Sequence, residues 1–209
     1  MKRALLLLAV CLSLSVVGNA QTKKPVRKAT TTVKKAPVEP SANGKFKFNV
    51  KGFLCDVDQK DFVIVTAPGK SASDIKSSIL SSLSDMYNTP SKVISTLGDN
   101  IINVNAYTSN AFEIHNINLP LYFKRYSLTY NIKIEIKDGK IKVNTPTFSN
   151  IKEEEISAYN YSVSDTHYLD TQHLYAALYE KEEQQAKVEA LINSHITKII
   201  TGLSSNSDW

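Results

Sequence analysis

From Tyr126 to Val143 the chain reads YSLTYNIKIEIKDGKIKV, and few folds accept such a stretch. Tyr126, Leu128, Tyr130, Ile132, Ile134 and Ile136 alternate with Ser127, Thr129, Asn131, Lys133, Glu135 and Lys137. A period of two held over this length is one long strand with an apolar and a polar face. Asp138-Gly139 supplies the two positive-φ residues that a type I′ hairpin turn needs. Lys137 then faces Lys140, Ile136 faces Ile141 and Ile134 faces Val143, so the apolar faces of both strands coincide. A slip of one residue would turn them all to water. The stretch predicts a hairpin with one buried and one wet face. It predicts no chemistry.

The flanking chain supplies partners for that hairpin. Phe46, Phe48 and Val50 alternate as an edge strand would. Asp61 to Thr66 is apolar on both parities, which predicts an interior strand covered on both faces, or a short buried one, ended by Ala67-Pro68-Gly69. Ser71 caps a helix with Asp74 as its capping-box partner. Ile75, Ile79, Leu80, Leu83, Met86 and Tyr87 form one stripe on it. Lys76, Ser77, Ser81, Ser82 and Asp85 are left to water, and Pro90 closes the region.

Short strands follow at Val93-Ile94, Ile102 to Ala106 and Phe112 to Ile114, stopped by Pro120. Phe148 to Leu169 reads as irregular. Asp170 caps a helical pattern running to about Thr201 and closed by Gly202. Its stripe is Val188, Leu191, Ile192, Ile196, Ile199, Ile200 and Leu203, with a smaller patch at Leu174, Tyr175 and Leu178. No Gly or Pro interrupts it, so the pattern predicts one long helix, wet from Glu180 to Gln185, whose first half projects from the core. The order β-α-β-β-β-β with short connections predicts an α+β fold. Its mostly antiparallel sheet should carry a short helix and a long C-terminal helix packed on one face.

The ends of the chain read differently. Met1 to Ala20 has a basic start (Lys2, Arg3), an apolar run and a small-residue site at Gly18-Asn19-Ala20, the pattern of a cleaved secretory signal. This predicts a secreted or periplasmic protein with no transmembrane segment after cleavage. Gln21 to Lys45 is basic and poor in apolar residues, which predicts a flexible tether before a single domain over 46–205. The formal net charge is +5. Lys2 and Arg3 account for +2 of it. Gln21 to Pro40 (Lys23, Lys24, Arg27, Lys28, Lys34 and Lys35 against Glu39) accounts for +5, which leaves −2 from Ser41 onward. The fold itself therefore lacks the basic footprint of a nucleic-acid binder. Cleavage leaves Cys55 as the one cysteine, which excludes an intrachain disulfide and a multi-cysteine zinc site.

The succession signal, basic spacer, strand, Gly69-Lys70-Ser71 capped helix, Val-Ile strand, Gly98-Asp99 turn and a long strand ending in Lys137-Asp138-Gly139-Lys140 resembles a known family. It is the secreted bacterial domain of unknown function described as having a TATA-box-binding-protein-like fold. The resemblance spans roughly Asp61 to Thr147. The chain departs from the family pattern in carrying aliphatic residues within the first helix and Ile141 after Asp-Gly-Lys. The resemblance implies a curved antiparallel sheet with helices on one side, and implies no activity.

Candidate sites are few. Lys133, Lys137, Lys140 and Lys142 crowd the turn end of the hairpin's wet face, with Arg125 and Asn131 further along. Lysines there equally protect a strand against pairing with neighbours. Tyr159, Tyr161 and Tyr168 mark a second surface. The one-sided sheet and the lack of a catalytic constellation predict a non-enzymatic domain that binds an unknown envelope protein or polymer through one surface or the other. The other reading is a hydrolase around Asp165, His167, Asp170 and His173, at the start of the final helix. Glu153, Glu154 and Glu155 are adjacent and point apart, so they make no catalytic pair. His195 lies on the apolar stripe, where a satisfied interfacial histidine is expected. No Gly-x-Ser-x-Gly elbow or phosphate-cradling loop is present, and neither metal nor cofactor is called for.

Overall fold

The computed structural model describes residues 39–42, 44–116, 118 and 121–205. The expected signal segment 1–20, most of the expected tether 21–45, and Pro120 lie outside these residues. In chain order the first elements are β1 (Ser41–Ala42), β2 (Lys47–Phe48), β3 (Leu54–Cys55), β4 (Phe62–Thr66), α1 (Ala72–Ser84) and α2 (Pro90–Val93). The long strands follow: β5 (Ile94–Leu97), β6 (Ile101–His115), β7 (Tyr122–Lys137), β8 (Lys140–Asn144), β9 (Thr147–Ser157) and β10 (Val163–Leu169). Two helices, α3 (Thr171–Leu178) and α4 (Glu182–Ser205), end the fold.

The architecture is α+β. One large antiparallel sheet runs β1-β4-β8-β7-β6-β5, with β9 also on β7 and β10 on β9. Ser41 and Ala42, inside the stretch expected to be a tether, pair with Thr66 and Val65. The hairpin register is the one its apolar pattern demands, with Ile134 opposite Val143 and Ile136 opposite Ile141. Its turn differs from type I′: Gly139 has φ 72°, but Asp138 is not left-handed. The reason lies outside the hairpin. Asp138 Oδ1 accepts the Ala72 N–H (2.7 Å). The Gly139 N–H donates to the Lys70 carbonyl (2.9 Å), and its carbonyl accepts the Ala67 N–H (2.8 Å). The turn is thus shaped by the loop it docks on, and Asp138 caps α1 beside Ser71. Asp138→Ala is expected to cost about 1 kcal/mol in a denaturation experiment, as loss of a helix cap does.

Four strand expectations change. The edge strand at Phe46 to Val50 shrinks to β2, which pairs with β3 in a separate ribbon. β4 buries only Val63 and Val65 fully, so one face is core and the other is partly open. The segment from Phe148 to Leu169 is not irregular; it forms the β9–β10 hairpin. Two features hide it from the sequence. Glu153 occupies an inward position, and left-handed Asn150 (φ 45°) sits at the irregularity between Ser149 and Lys152. A similar break at left-handed Asn110 joins the two short strands expected at Ile102 and Phe112 into β6.

The helices lie against the sheet face formed by Tyr126, Leu128, Tyr130, Ile132, Ile134 and Ile136. α1 buries Ile75, Ile79 and Leu83, and also Ser78 and Ser82. Ser82 was expected on the wet side; α4 crosses there instead, with Gly202 against it. Gly202 is therefore not a terminator, and α4 continues to Ser205. The expected single C-terminal helix is also two helices. The chain breaks at Glu180 (φ 56°), which lets Leu174 and Leu178 reach the core under α3 while α4 carries Val188 to Leu203 onto its own line. A straight helix would leave one of these patches in water. The polar stretch between them makes the joint: Gln185 Nε2 donates to the Leu178 carbonyl (2.9 Å) and Gln184 Nε2 to the Glu113 carbonyl (3.2 Å). Glu180→Gly is expected to raise stability by about 0.5–1 kcal/mol, since only glycine adopts that φ without strain. A continuous helix would show the opposite sign.

Candidate functional site: the open face of the sheet

Two buried polar networks stand on the helix-covered face, and both are closed. His195 Nδ1–H donates to the Leu191 carbonyl (3.1 Å), which leaves Nε2 to accept the Tyr87 hydroxyl (2.6 Å). Burial holds its pKa below the usual imidazole value. This is the satisfied histidine expected at that position. In the second network Glu153 receives the Lys124 ammonium (2.7 Å) and the Tyr126 hydroxyl (2.5 Å). Burial pushes the Glu153 carboxyl up, but these two donors outweigh it and hold the pKa below the usual carboxylate range. Burial, together with the neighbouring carboxylate, raises that of Tyr126. The Tyr126 hydroxyl and the Glu153 carboxylate are spent on the fold, while the half-exposed Lys124 ammonium also meets solvent.

The residues proposed for hydrolysis separate into two local pairs. His167 Nε2 lies 3.1 Å from Asp165 Oδ2 on β10. His173 Nδ1 lies 2.8 Å from Asp170 Oδ1, and the same oxygen caps α3 by accepting the His173 N–H (2.9 Å). That backbone bond, then the imidazole, lowers the Asp170 pKa. All four side chains are more than half exposed, and none lines a described hollow. Among the described residues no group of three or more His, Cys, Asp or Glu converges to hold a metal ion. The largest described hollow, 460 Å³, lies where β6 and β7 meet the α3–α4 joint, lined by Ile114, Tyr122, Lys124, Glu155 and Lys181 among others.

The other face of the sheet carries no helix. The sequence-derived residues fall at its two ends. Lys133, Lys140 and Lys142 sit near the β7–β8 turn, with Asn131 inward of them, between Asn105 and Thr147. Arg125 is eight residues from Lys133 along β7, roughly 26 Å at strand rise. It lies at the end where Tyr161 meets the Phe123 ring, while Tyr159 is exposed in the β9–β10 turn. The cations are largely spoken for. Lys133 pairs with Glu135 (3.2 Å), Lys142 lies over the Phe62 ring (4.8 Å) and Arg125 Nε pairs with Glu113 (3.1 Å). These residues do not form one patch.

Between them the structure sets Tyr107, which the sequence reading leaves out, beside Tyr168, which that reading assigns to a separate loop surface. Tyr107 pairs across to Thr129 and Ser149, and Asn105 to Asn131 and Thr147. Tyr168 pairs to Lys152 and on to Ser127. Tyr107 and Tyr168 are 60% and 75% exposed, large rings standing on an otherwise amide- and hydroxyl-rich surface. Lys152 stands near both, its ammonium held by Glu154 (2.5 Å). The one sequence signal for this centre is Tyr107 standing at a wet-face parity of β6. Tyr168 is expected on a loop surface with Tyr159 and Tyr161; its place on the sheet face was not legible, because β10 does not read as a strand.

Fold and face together describe an α+β domain with a one-sided antiparallel sheet. Among solved structures the chain is similar to a TBP-like protein from Parabacteroides distasonis ATCC 8503, at 10% identity and TM-score 0.44, over 70% of this chain and 92% of that one. It is also similar to a DUF4468 family protein from Bacteroides ovatus ATCC 8483, at 10% identity and TM-score 0.41, over 71% and 87%. No family model and no curated protein matches the chain. No described helix is long and apolar enough to cross a membrane.

Proposed function

We propose that the domain is a non-enzymatic binding module of the cell envelope, exported by residues 1–20 and held by its basic arm. Its uncovered sheet face takes up the partner. The observation that carries this is the pair of exposed rings, Tyr107 and Tyr168, on a face where Arg125, Lys133 and Lys152 are already ion-paired. Such a surface holds a partner by stacking and hydrogen bonding. It gives little counterion release, so nucleic acid is a poor fit. The separated Asp–His pairs, away from the described hollows, give the hydrolase reading no support.

The test is retention of an envelope component on immobilised chain. Tyr107→Ala with Tyr168→Ala is expected to weaken retention at least about tenfold, the scale of losing stacked aromatic contacts. Charge reversal at Lys133 and Lys142 should have a smaller effect. Retention that survives the tyrosine changes overturns the sheet-face reading.

A further inference from the structure

β10 is the longest uncovered edge among the described residues. Val163–Leu169 pairs only with β9, and every residue but Leu169 is exposed. The other edges are short or blunted. β1 has two residues and β5 four. The run of β6 beyond β5 is interrupted between Thr108 and Phe112, and Gln184 occupies the Glu113 carbonyl. A long open edge is a template for another strand, which folds usually block with lysine, proline or a covering segment. β10 contains neither residue, and its only irregularity lies at its start, between Val163 and Asp165. The Thr166 N–H donates to Asp165 Oδ1 of its own strand (2.7 Å), so it faces away from β9, and a pairing strand would take this donor over from the Asp165 carboxylate.

We propose that β10 pairs with β10 of a second copy, antiparallel about a two-fold axis at Thr166. The argument is polar complementarity in that register: Asp165 and His167, 3.1 Å apart within one strand, exchange partners across the two copies. Asp165 falls opposite His167 of the second copy, and His167 opposite its Asp165. Thr166 meets Thr166, a favourable cross-strand pair, and Ser164 meets Tyr168. Moving the axis one residue toward the N-terminus would set Asp165 against Asp165, and one residue the other way would set His167 against His167. Only the Thr166 axis joins the unlike groups. The partner is a copy of the same chain because a two-fold contact uses one surface twice, and this strand is its own complement. The contact makes the two open faces continuous, with Tyr168 of each copy beside Ser164 of the other.

The test uses the full chain carrying Thr166→Cys and Cys11→Ser, oxidised mildly. In a hydrogen-bonded antiparallel pair the two Cα atoms lie about 5.5 Å apart, within disulfide reach. A disulfide-linked dimer is expected, at least tenfold more abundant than from Ser149→Cys in the middle of the open face. Thr166→Pro removes an outward N–H without touching the β9 ladder. It is expected to turn a dimer into a monomer by light scattering, with an unchanged circular dichroism spectrum. Absence of the Thr166→Cys cross-link overturns the proposal, and so does a folded Thr166→Pro chain that stays dimeric. If Thr166→Pro fails to fold, the cross-link alone decides.

Discussion

Gly202→Ala is expected to destabilise the domain by about 1–3 kcal/mol, the cost of overpacking a close contact. The sign is the point. Inside a helix, alanine ordinarily stabilises relative to glycine by about 0.5–1 kcal/mol. At this position an added Cβ would lie 1.6 Å from Ser82 Oγ and 2.6 Å from Ser82 Cβ, with the Ser78 carbonyl 3.3 Å away. α1 and α4 cross on these small residues, and neither backbone can retreat without lifting Ile79 or Ile199 from the core. Denaturant midpoints should fall for Gly202→Ala and recover largely when Ser82→Gly is added. A midpoint that rises for Gly202→Ala would show a looser crossing than the one described.

Glu153→Ala is expected to cost about 2–4 kcal/mol, because it leaves the buried Tyr126 hydroxyl unpaired and removes the anion facing Lys124. The upper part of that range is moderated by Lys124, whose side chain is half exposed and can return to water. Tyr126→Phe should cost less, since Glu153 keeps its lysine. The network also sets a pH dependence. The folded Glu153 pKa is depressed, so its contribution is fully present above the unfolded carboxylate value, about 4.3, and is lost as pH falls through the folded value. His195 adds an earlier loss. Its pKa is depressed by burial, so the unfolded chain takes up a proton near pH 6.5 before the folded one does, and stability declines from there. Melting temperature should therefore fall in two stages on acidification, with Glu153→Gln flattening the lower one. A melting temperature unchanged from about pH 7 to about pH 5 would contradict the His195 assignment, and one unchanged from about pH 4.3 to about pH 2 would contradict that of Glu153.

The legible parts of the fold were those where a short-range pattern coincided with the tertiary role. The β7–β8 alternation, the Ser71–Asp74 cap and the α4 stripe each state locally what the core requires. The illegible parts were those where a residue's neighbour in space overrode its local signal. Glu153 breaks an apolar alternation, yet it is buried because Lys124 and Tyr126 reach it from the adjacent strand. Glu180 interrupts a helix without glycine or proline because two apolar patches must both reach the core. The candidate face suffered the same way. Its charged rim was visible as lysines and Arg125, and Tyr168 as a loop tyrosine, while the β10 strand that sets Tyr168 on the sheet face was hidden.

By itself, the sequence determined the hairpin, its register and which face turns inward, because a two-residue period leaves no other way to bury six apolar side chains together. It also determined that the chain's basic excess lies ahead of the folded domain. The tertiary structure alone decided the turn geometry at Asp138, the wet-side serine that became a helix crossing, and the glutamate that entered the core. Each depends on a partner far away in sequence, whose arrival changes which conformation of the same residues has the lower free energy.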